Sequence, residues 1–247
     1  GTEHYRELFE PLIGGVKFAD FNDLESVKAQ ITDKTCAIIT EVVQGEGGIY
    51  PAEKEFLEGL RAVCDEKDII LIFDEIQCGM GRTGSYFAWQ AYDVKPDIMT
   101  CAKALGCGVP VGAFVLGEKA AAASLVPGDH GTTYGGNPFV CAAVSKVFDI
   151  YEKDMILTHV QELTPYLEKK LDELVEKHEC AAARRGMGFM QGIVIAGRPV
   201  GEIVKKALEK KLLVISAGSD VLRIVPPLVI TKADIDEMAE ILDECLA

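Results

Sequence analysis

Two residues, each just past a short apolar run, are the best placed in this sequence to do chemistry. Asp74 closes Ile69-Ile70-Leu71-Ile72-Phe73, which reads as a fully buried strand. Lys103 follows Asp97-Ile98-Met99-Thr100-Cys101, a second run of strand type. Ligands in open α/β sheets bind beyond the carboxyl ends of the strands. Two such strands would therefore carry an acid and an amine to one small molecule. Taken alone, Asp74 could as well be a helix cap or half of a buried ion pair, and Lys103 a surface lysine. The setting of Lys103 argues otherwise, since Ala102, Ala104 and Leu105 flank it and glycines follow. Partial burial would disfavour its charged form, lower its pKa and free the amine for Schiff-base chemistry.

An acid that keeps a ring nitrogen protonated and a lysine that binds an aldehyde are the two groups pyridoxal phosphate requires. Two other motifs compete for the same stretch. Gly79-Met80-Gly81-Arg82-Thr83-Gly84 matches G-x-G-x-x-G, but the dinucleotide fingerprint needs its first glycine at the strand end and a long helix after the third. Asp74 to Cys78 intervene here, and only a short helix follows. Ile69–Glu75 also has the form of a Walker B strand, yet no G-x-x-x-x-G-K-[ST] is present to cradle phosphates. Both readings are the weaker ones.

The elements that must position Asp74 and Lys103 alternate in type. Asn22 and Glu25 approach a capping box for a helix through Leu24, Val27 and Ile31. Cys36–Val43 is a strand carrying Glu41, and Gln44–Gly48 is a glycine loop. Glu53–Lys67 places Phe56, Leu57, Leu60, Val63 and Cys64 on one helical stripe. The Asp74 strand, a short helix near Phe87–Tyr92, the Asp97–Cys101 strand and a strand over Val111–Leu116 follow. Asn137-Pro138 then starts a helix as an N-cap with proline behind it. This alternation predicts an α/β, mostly parallel sheet with helices on both faces.

After about residue 152 the pattern changes. A charged amphipathic helix over 154–177 turns Val160, Leu163, Leu167, Leu171 and Leu174 inward. Short strands near 188–195, 212–215 and 222–225 alternate with helices at about 200–211 and 232–245, the last opened by Thr231 and Asp234. The expected organisation is a larger α/β unit over residues 1–152 and a smaller α+β unit over 153–247.

Composition narrows the partners. With 39 acids against 25 bases the net charge is −14, which disfavours nucleic acid and anionic membrane surfaces. No apolar run approaches the ~18 residues of a membrane span. The eight cysteines are scattered without a C-x-x-C pair, as reduced thiols of a cytoplasmic protein would be, and no metal site is expected. The chain opens Gly1-Thr2-Glu3-His4 without an initiator methionine, which reads as a piece of a longer polypeptide.

Five motifs, in order, resemble the class III (ω-amino acid) aminotransferases. They are Glu41–Gly48, Phe73–Gly84, Ala102-Lys103-Ala104-Leu105-Gly106, Gly131–Pro138 and Leu222–Leu228. The resemblance implies a fold-type-I pyridoxal-phosphate transferase: the C-terminal part of the large cofactor domain, then the small domain. It implies roles as well. Lys103 would bind the cofactor aldehyde and later shuttle a proton between substrate and cofactor carbons. Asp74 would pair with the pyridinium nitrogen, Ile76 would pack on a ring face, and Gln77 would bond the phenolic oxygen, with Glu75 beside them at the cofactor. Thr133 would reach the phosphate of a neighbouring subunit, with Thr132 near the substrate, making a homodimer with sites at its interface. Arg223 would clamp the α-carboxylate of glutamate. Glu41 would pair with Arg223 when an amine-bearing substrate enters, masking that arginine in one half-reaction.

The implied reaction moves the δ-amine of N-acetylornithine to 2-oxoglutarate, with ornithine, succinylornithine and 4-aminobutyrate as alternative donors. Val42 stands where the family usually has proline, and Cys107 where glycine is common. The family's phosphate-gripping turn, ring-stacking aromatic and second substrate arginine would all precede Gly1. The opposing expectation is therefore an inactive fragment that acts only as a structural or assembly piece.

Overall fold

In a computed structural model, residues 5–122 and 125–247 are described; the opening Gly1–His4 lies outside the described residues. Two four-stranded sheets carry the chain. The first has the order β1 (Ala37–Glu41), β4 (Ile70–Asp74), β5 (Ile98–Cys101), β6 (Ala113–Leu116). β1, β4 and β5 are parallel neighbours, while β6 runs antiparallel to β5. Burial along β4 alternates: Leu71 and Phe73 are wholly buried while Ile70, Ile72 and Asp74 are half-buried, so the strand is not buried on both faces in the way its continuous apolar run predicts. The expected Cys36–Val43 strand is shorter than predicted. It leaves the sheet after Glu41, and β2 (Val43–Gln44) pairs instead with β3 (Tyr50–Pro51). Between them lies the Gly45–Ile49 turn.

The first helix, α1 (Leu24–Gln30), is capped by Asp23, which accepts the Ser26 N–H at 2.9 Å. Asn22, expected as the cap, instead ties down the start of the next helix: it donates to the Pro51 carbonyl and accepts the Glu53 N–H. That helix, α2 (Lys54–Lys67), buries all five residues of its predicted stripe. After α3 (Glu118–Ala122), α4 (Pro138–Lys153) begins as predicted, with the Asn137 side chain accepting the Val140 N–H.

The second sheet is wholly antiparallel, in the order β7 (Ala181–Met187), β8 (Met190–Ile195), β10 (Val221–Ile224), β9 (Ile215–Ala217). Its core gathers the leucine stripe of α5 (Ile156–Lys177) with residues of α6 (Val200–Glu209) and α7 (Lys232–Leu246). The Thr231–Asp234 capping box opens α7. β7 is the element that pattern reading misses, because Ala-Ala-Ala-Arg-Arg-Gly-Met has no β-branched or aromatic residue; pairing with β8 makes it a strand. The two sheets meet through Met190, Ala217 and Val221, which pack into the core formed by α2, β4 and the Ile49 turn. Among the described residues no helix is long and apolar enough to cross a membrane.

Candidate functional site

The C-terminal ends of β1, β4 and β5 lie level. Glu41 pairs with Asp74 across β1–β4, and Asp74 with Thr100 across β4–β5. Asp74 is half-buried, and both of its hydrogen bonds fall on one oxygen. Oδ1 accepts the Ile76 N–H at 3.0 Å and the Thr100 hydroxyl at 3.1 Å. Among the described residues Oδ2 takes no bond, so the carboxylate is held still with one oxygen left to accept. Thr100 carries no signal of its own in the sequence. Only the parallel register, which sets it beside Asp74, reveals it.

Two residues beyond β5, Lys103 opens a short 3-10 turn with φ +48°. A left-handed backbone is uncommon outside glycine and costs about 1–2 kcal/mol. The expected partial burial of Lys103 does not hold, since its side chain is exposed. The turn is closed from beneath, with Leu105 buried and Gly106 packed so tightly that a Cβ there would lie 2.1 Å from the Val109 carbonyl oxygen. That geometry lifts Lys103 outward, within electrostatic reach of both Glu41 and Glu46.

Arg223 reaches this edge from the second sheet, on β10 between β8 and β9. Its partner differs from the one expected. Nη1 donates to Glu46 Oε1 at 2.6 Å and to Gln77 Oε1 at 3.2 Å, and Gln77 Nε2 donates to the same Glu46 oxygen at 3.4 Å. Arg223 is 8% exposed and Glu46 65%, so a buried cation meets a largely solvent-exposed anion. The hydrogen bond from Arg223 holds the Glu46 carboxyl below its ordinary value. The buried Arg223 Nε has no partner among the described residues.

Glu41 is occupied elsewhere: its Oε2 accepts the Gly45 N–H at 3.0 Å. Burial raises its pKa above the ordinary value, Asp74 and Glu46 add to the rise, and the Gly45 amide and Lys103 oppose it. Glu46 was part of a recognisable motif, but its role is readable only from the docking of the two sheets.

Glu75, expected at the cofactor, points the other way. It is 1% exposed and accepts the Ala88 and Trp89 N–H groups, both at 2.8 Å, at the head of the short helix Ala88–Ala91. It is a scaffold residue. Ile76 is fixed through its own amide to Asp74. Thr132 and Thr133 stand on an exposed loop, and no hydrogen bond among the described residues joins them to Asp74, Lys103 or Arg223. The Gly79–Gly84 stretch is a connecting loop that grips the second sheet. The half-buried Arg82 guanidinium, lowered to about 10 by burial, donates to the Phe189 and Pro226 carbonyls. Tyr151 donates to the Met80 carbonyl at 2.8 Å.

One edge thus holds an acid with a free oxygen, an amine, an amide and a cation: an acceptor for a protonated ring nitrogen, a nucleophile for an aldehyde and donors for a carboxylate. Those groups fit the ring and aldehyde of pyridoxal phosphate and the carboxylate of an amino acid.

Comparison with known proteins agrees. The Aminotransferase class-III family model matches residues 1–246. The chain is 48% identical over 247 residues to an acetylornithine aminotransferase of Clostridium acetobutylicum, covering 100% of this chain and 63% of that protein. It is 45% identical to a succinylornithine transaminase of Yersinia pseudotuberculosis over 96% of this chain and 58% of that protein. The crystal structure of N-acetylornithine aminotransferase from Stenotrophomonas maltophilia K279a superposes with TM-score 0.85 at 36% identity, over 95% of this chain and 62% of that one. The chain therefore spans about 60% of the length of the relatives it matches.

Proposed function

This chain belongs to the class III aminotransferases, a pyridoxal-phosphate-dependent family of fold type I, and from that premise we propose that the protein moves the δ-amine of N-acetylornithine to 2-oxoglutarate. The observation that carries the reading is the meeting of Asp74, Lys103 and the Glu46–Gln77–Arg223 cluster at one sheet edge. When bound, pyridoxal phosphate supplies an aldehyde for amines to condense with and a ring that takes up carbanion charge. Every other part of the task falls to side chains.

Asp74 Oδ2 would accept the ring N–H and keep it protonated, while the bonds at Oδ1 hold the carboxylate in place. Lys103 would be the amine that holds the cofactor aldehyde, and the same amine would serve as the base that moves a proton at the reacting carbon. Gln77 would bond the phenolic oxygen, and Ile76 would cover a ring face. Arg223 binds the α-carboxylate of glutamate or 2-oxoglutarate. When N-acetylornithine instead brings an amine-bearing carbon to that locus, the Glu46 carboxylate neutralises Arg223. When a dicarboxylate arrives, the exposed Glu46 swings off. A site that must accept both substrates needs such a removable mask, and Glu46 rather than Glu41 is built to be one.

Thr133 would hold the phosphate of the cofactor in a second copy, with Thr132 near the substrate, in a homodimer. Residues 1–152 act as part of the cofactor domain and 153–247 as the small domain. The test is the visible absorption of lysine-bound cofactor in the full-length protein. Lys103→Ala is expected to abolish that band; an unchanged band overturns the reading. A panel of acetylornithine, succinylornithine, ornithine and 4-aminobutyrate then ranks the donors, and equal turnover of all four would contradict the N-acetylornithine assignment.

A further inference from the structure

The turn that carries Glu46 belongs to the first sheet by sequence but is bolted to the second. The Gly218 N–H, in the β9–β10 turn, donates to the Glu46 carbonyl at 2.8 Å. From β7, Arg185 Nε donates to the Gly48 carbonyl at 2.7 Å, and its guanidinium lies over the Tyr50 ring at 3.6 Å from the centroid. Ile49, wholly buried, fills the space left by Gly192 of β8, where an added Cβ would lie 3.2 Å from Ile49 Cβ. Ile49 also has φ +55°, a true outlier for a β-branched residue. Such strain persists only where the surroundings over-determine the conformation, and it gathers at working sites. Among these ties Arg185 is the one side chain that reaches across from the second sheet to hold the turn.

We propose that Arg185 is a positioning residue for the mask on Arg223: it holds the Gly45–Ile49 turn so that the Glu46 carboxylate rests on the Arg223 guanidinium. Without it the turn relaxes, Glu46 spends less time on Arg223, and carboxylates compete more easily for the freed cation. The inference rests on the reading of Glu46 given above and is tested so that the two can fail separately.

The experiment is calorimetric titration of the full-length holoenzyme with glutarate, a non-reacting dicarboxylate, alongside the rates of the two half-reactions. Glu46→Gln is expected to tighten glutarate binding and favour glutamate over the ω-amine donor. Arg185→Met is expected to do the same by about three- to tenfold, the size of coupling between contacting residues. In the Glu46→Gln background, Arg185→Met is expected to change neither measurement further. Tyr50→Leu, which removes only the ring beneath the guanidinium, should shift both in the same direction by less, and it decides the matter if Arg185→Met does not fold. If Glu46→Gln shifts the two measurements and Arg185→Met and Tyr50→Leu do not, the positioning role is overturned while the mask stands. If Arg185→Met lowers both half-reactions equally, or acts undiminished in the Glu46→Gln background, the role is likewise overturned. If Glu46→Gln itself shifts nothing, the mask and the role fail together.

Discussion

A methyl group at Gly45 should act through one side chain, and the structure gives both the size and the sign. A Cβ there would lie 2.1 Å from Gln77 Oε1, 2.3 Å from Cδ and 2.6 Å from Nε2. These atoms are the far end of a flexible side chain, so Gln77 can swing away while the backbone stays. Doing so removes its bonds to Arg223 at 3.2 Å and Glu46 at 3.4 Å. Hydrogen bonds to charged groups contribute about 1.5–3 kcal/mol at best. Both are long here and Glu46 is 65% exposed, so the pair together should contribute about 1–2 kcal/mol. Gly45 is not among the residues with positive φ, so the alanine itself returns about 0.4–1 kcal/mol by restricting the unfolded chain.

Gly45→Ala should therefore destabilise by at most about 1.5 kcal/mol, a fall in Tm of a few degrees for a chain of this size. In a Gln77→Ala background the obstacle is gone, and the same methyl should stabilise by about 0.4–1 kcal/mol. Thermal unfolding of the wild type, both single variants and the double variant measures this. Equal destabilisation by Gly45→Ala in both backgrounds would refute the packing of Gln77 over Gly45, and with it the placement of Gln77 between Arg223 and Glu46.

Two further outcomes follow from the same edge. Cys107 is exposed with φ +47°; Cys107→Gly removes a backbone penalty of about 1–2 kcal/mol against an entropy cost of about 0.5–1 kcal/mol, so the denaturant midpoint should hold or rise at unchanged slope, and a clear fall would contradict the strain. Glu41 has a raised pKa in the folded chain, so its charge opposes folding at neutral pH, and that penalty is relieved as pH falls through the raised value toward the ordinary 4.5. Glu41→Gln, which keeps an acceptor for the Gly45 N–H, should match or exceed the wild type at pH 7, with the gap closing as pH falls. Urea midpoints across that range check it, and a deficit that does not vary with pH would overturn the burial argument.

The strand ends that deliver Asp74 and Lys103 were legible because each closes a run whose period and composition admit little else. The caps at Asn137 and Thr231 were legible for the same local reason. What escaped depends on pairing over distance. β7 has the composition of a helix and becomes a strand only against β8. Thr100 matters because the parallel register sets it beside Asp74. The exposure of Lys103 follows from a turn that closes beneath it, which flanking alanines do not announce.

The two glutamates of Glu41–Gly48 show how such a choice is made. Either could answer Arg223 by type alone, and their partner lies 177 residues beyond Glu46. Backbone satisfaction separates them. β1 ends at Glu41 and the chain turns sharply, so the Gly45 N–H loses its place in the sheet and needs an acceptor. Glu41, four residues back and already level with Asp74, supplies one. Drawing Glu41 away to Arg223 would leave that amide orphaned and release the turn. Glu46, at the outer side of the turn, has no such duty; the turn's own backbone is held by Gly218 and Arg185, which leaves its carboxylate free to come and go. A carboxylate spent on holding the chain in shape cannot also be a mobile mask. One glutamate fixes the turn so that the other can move.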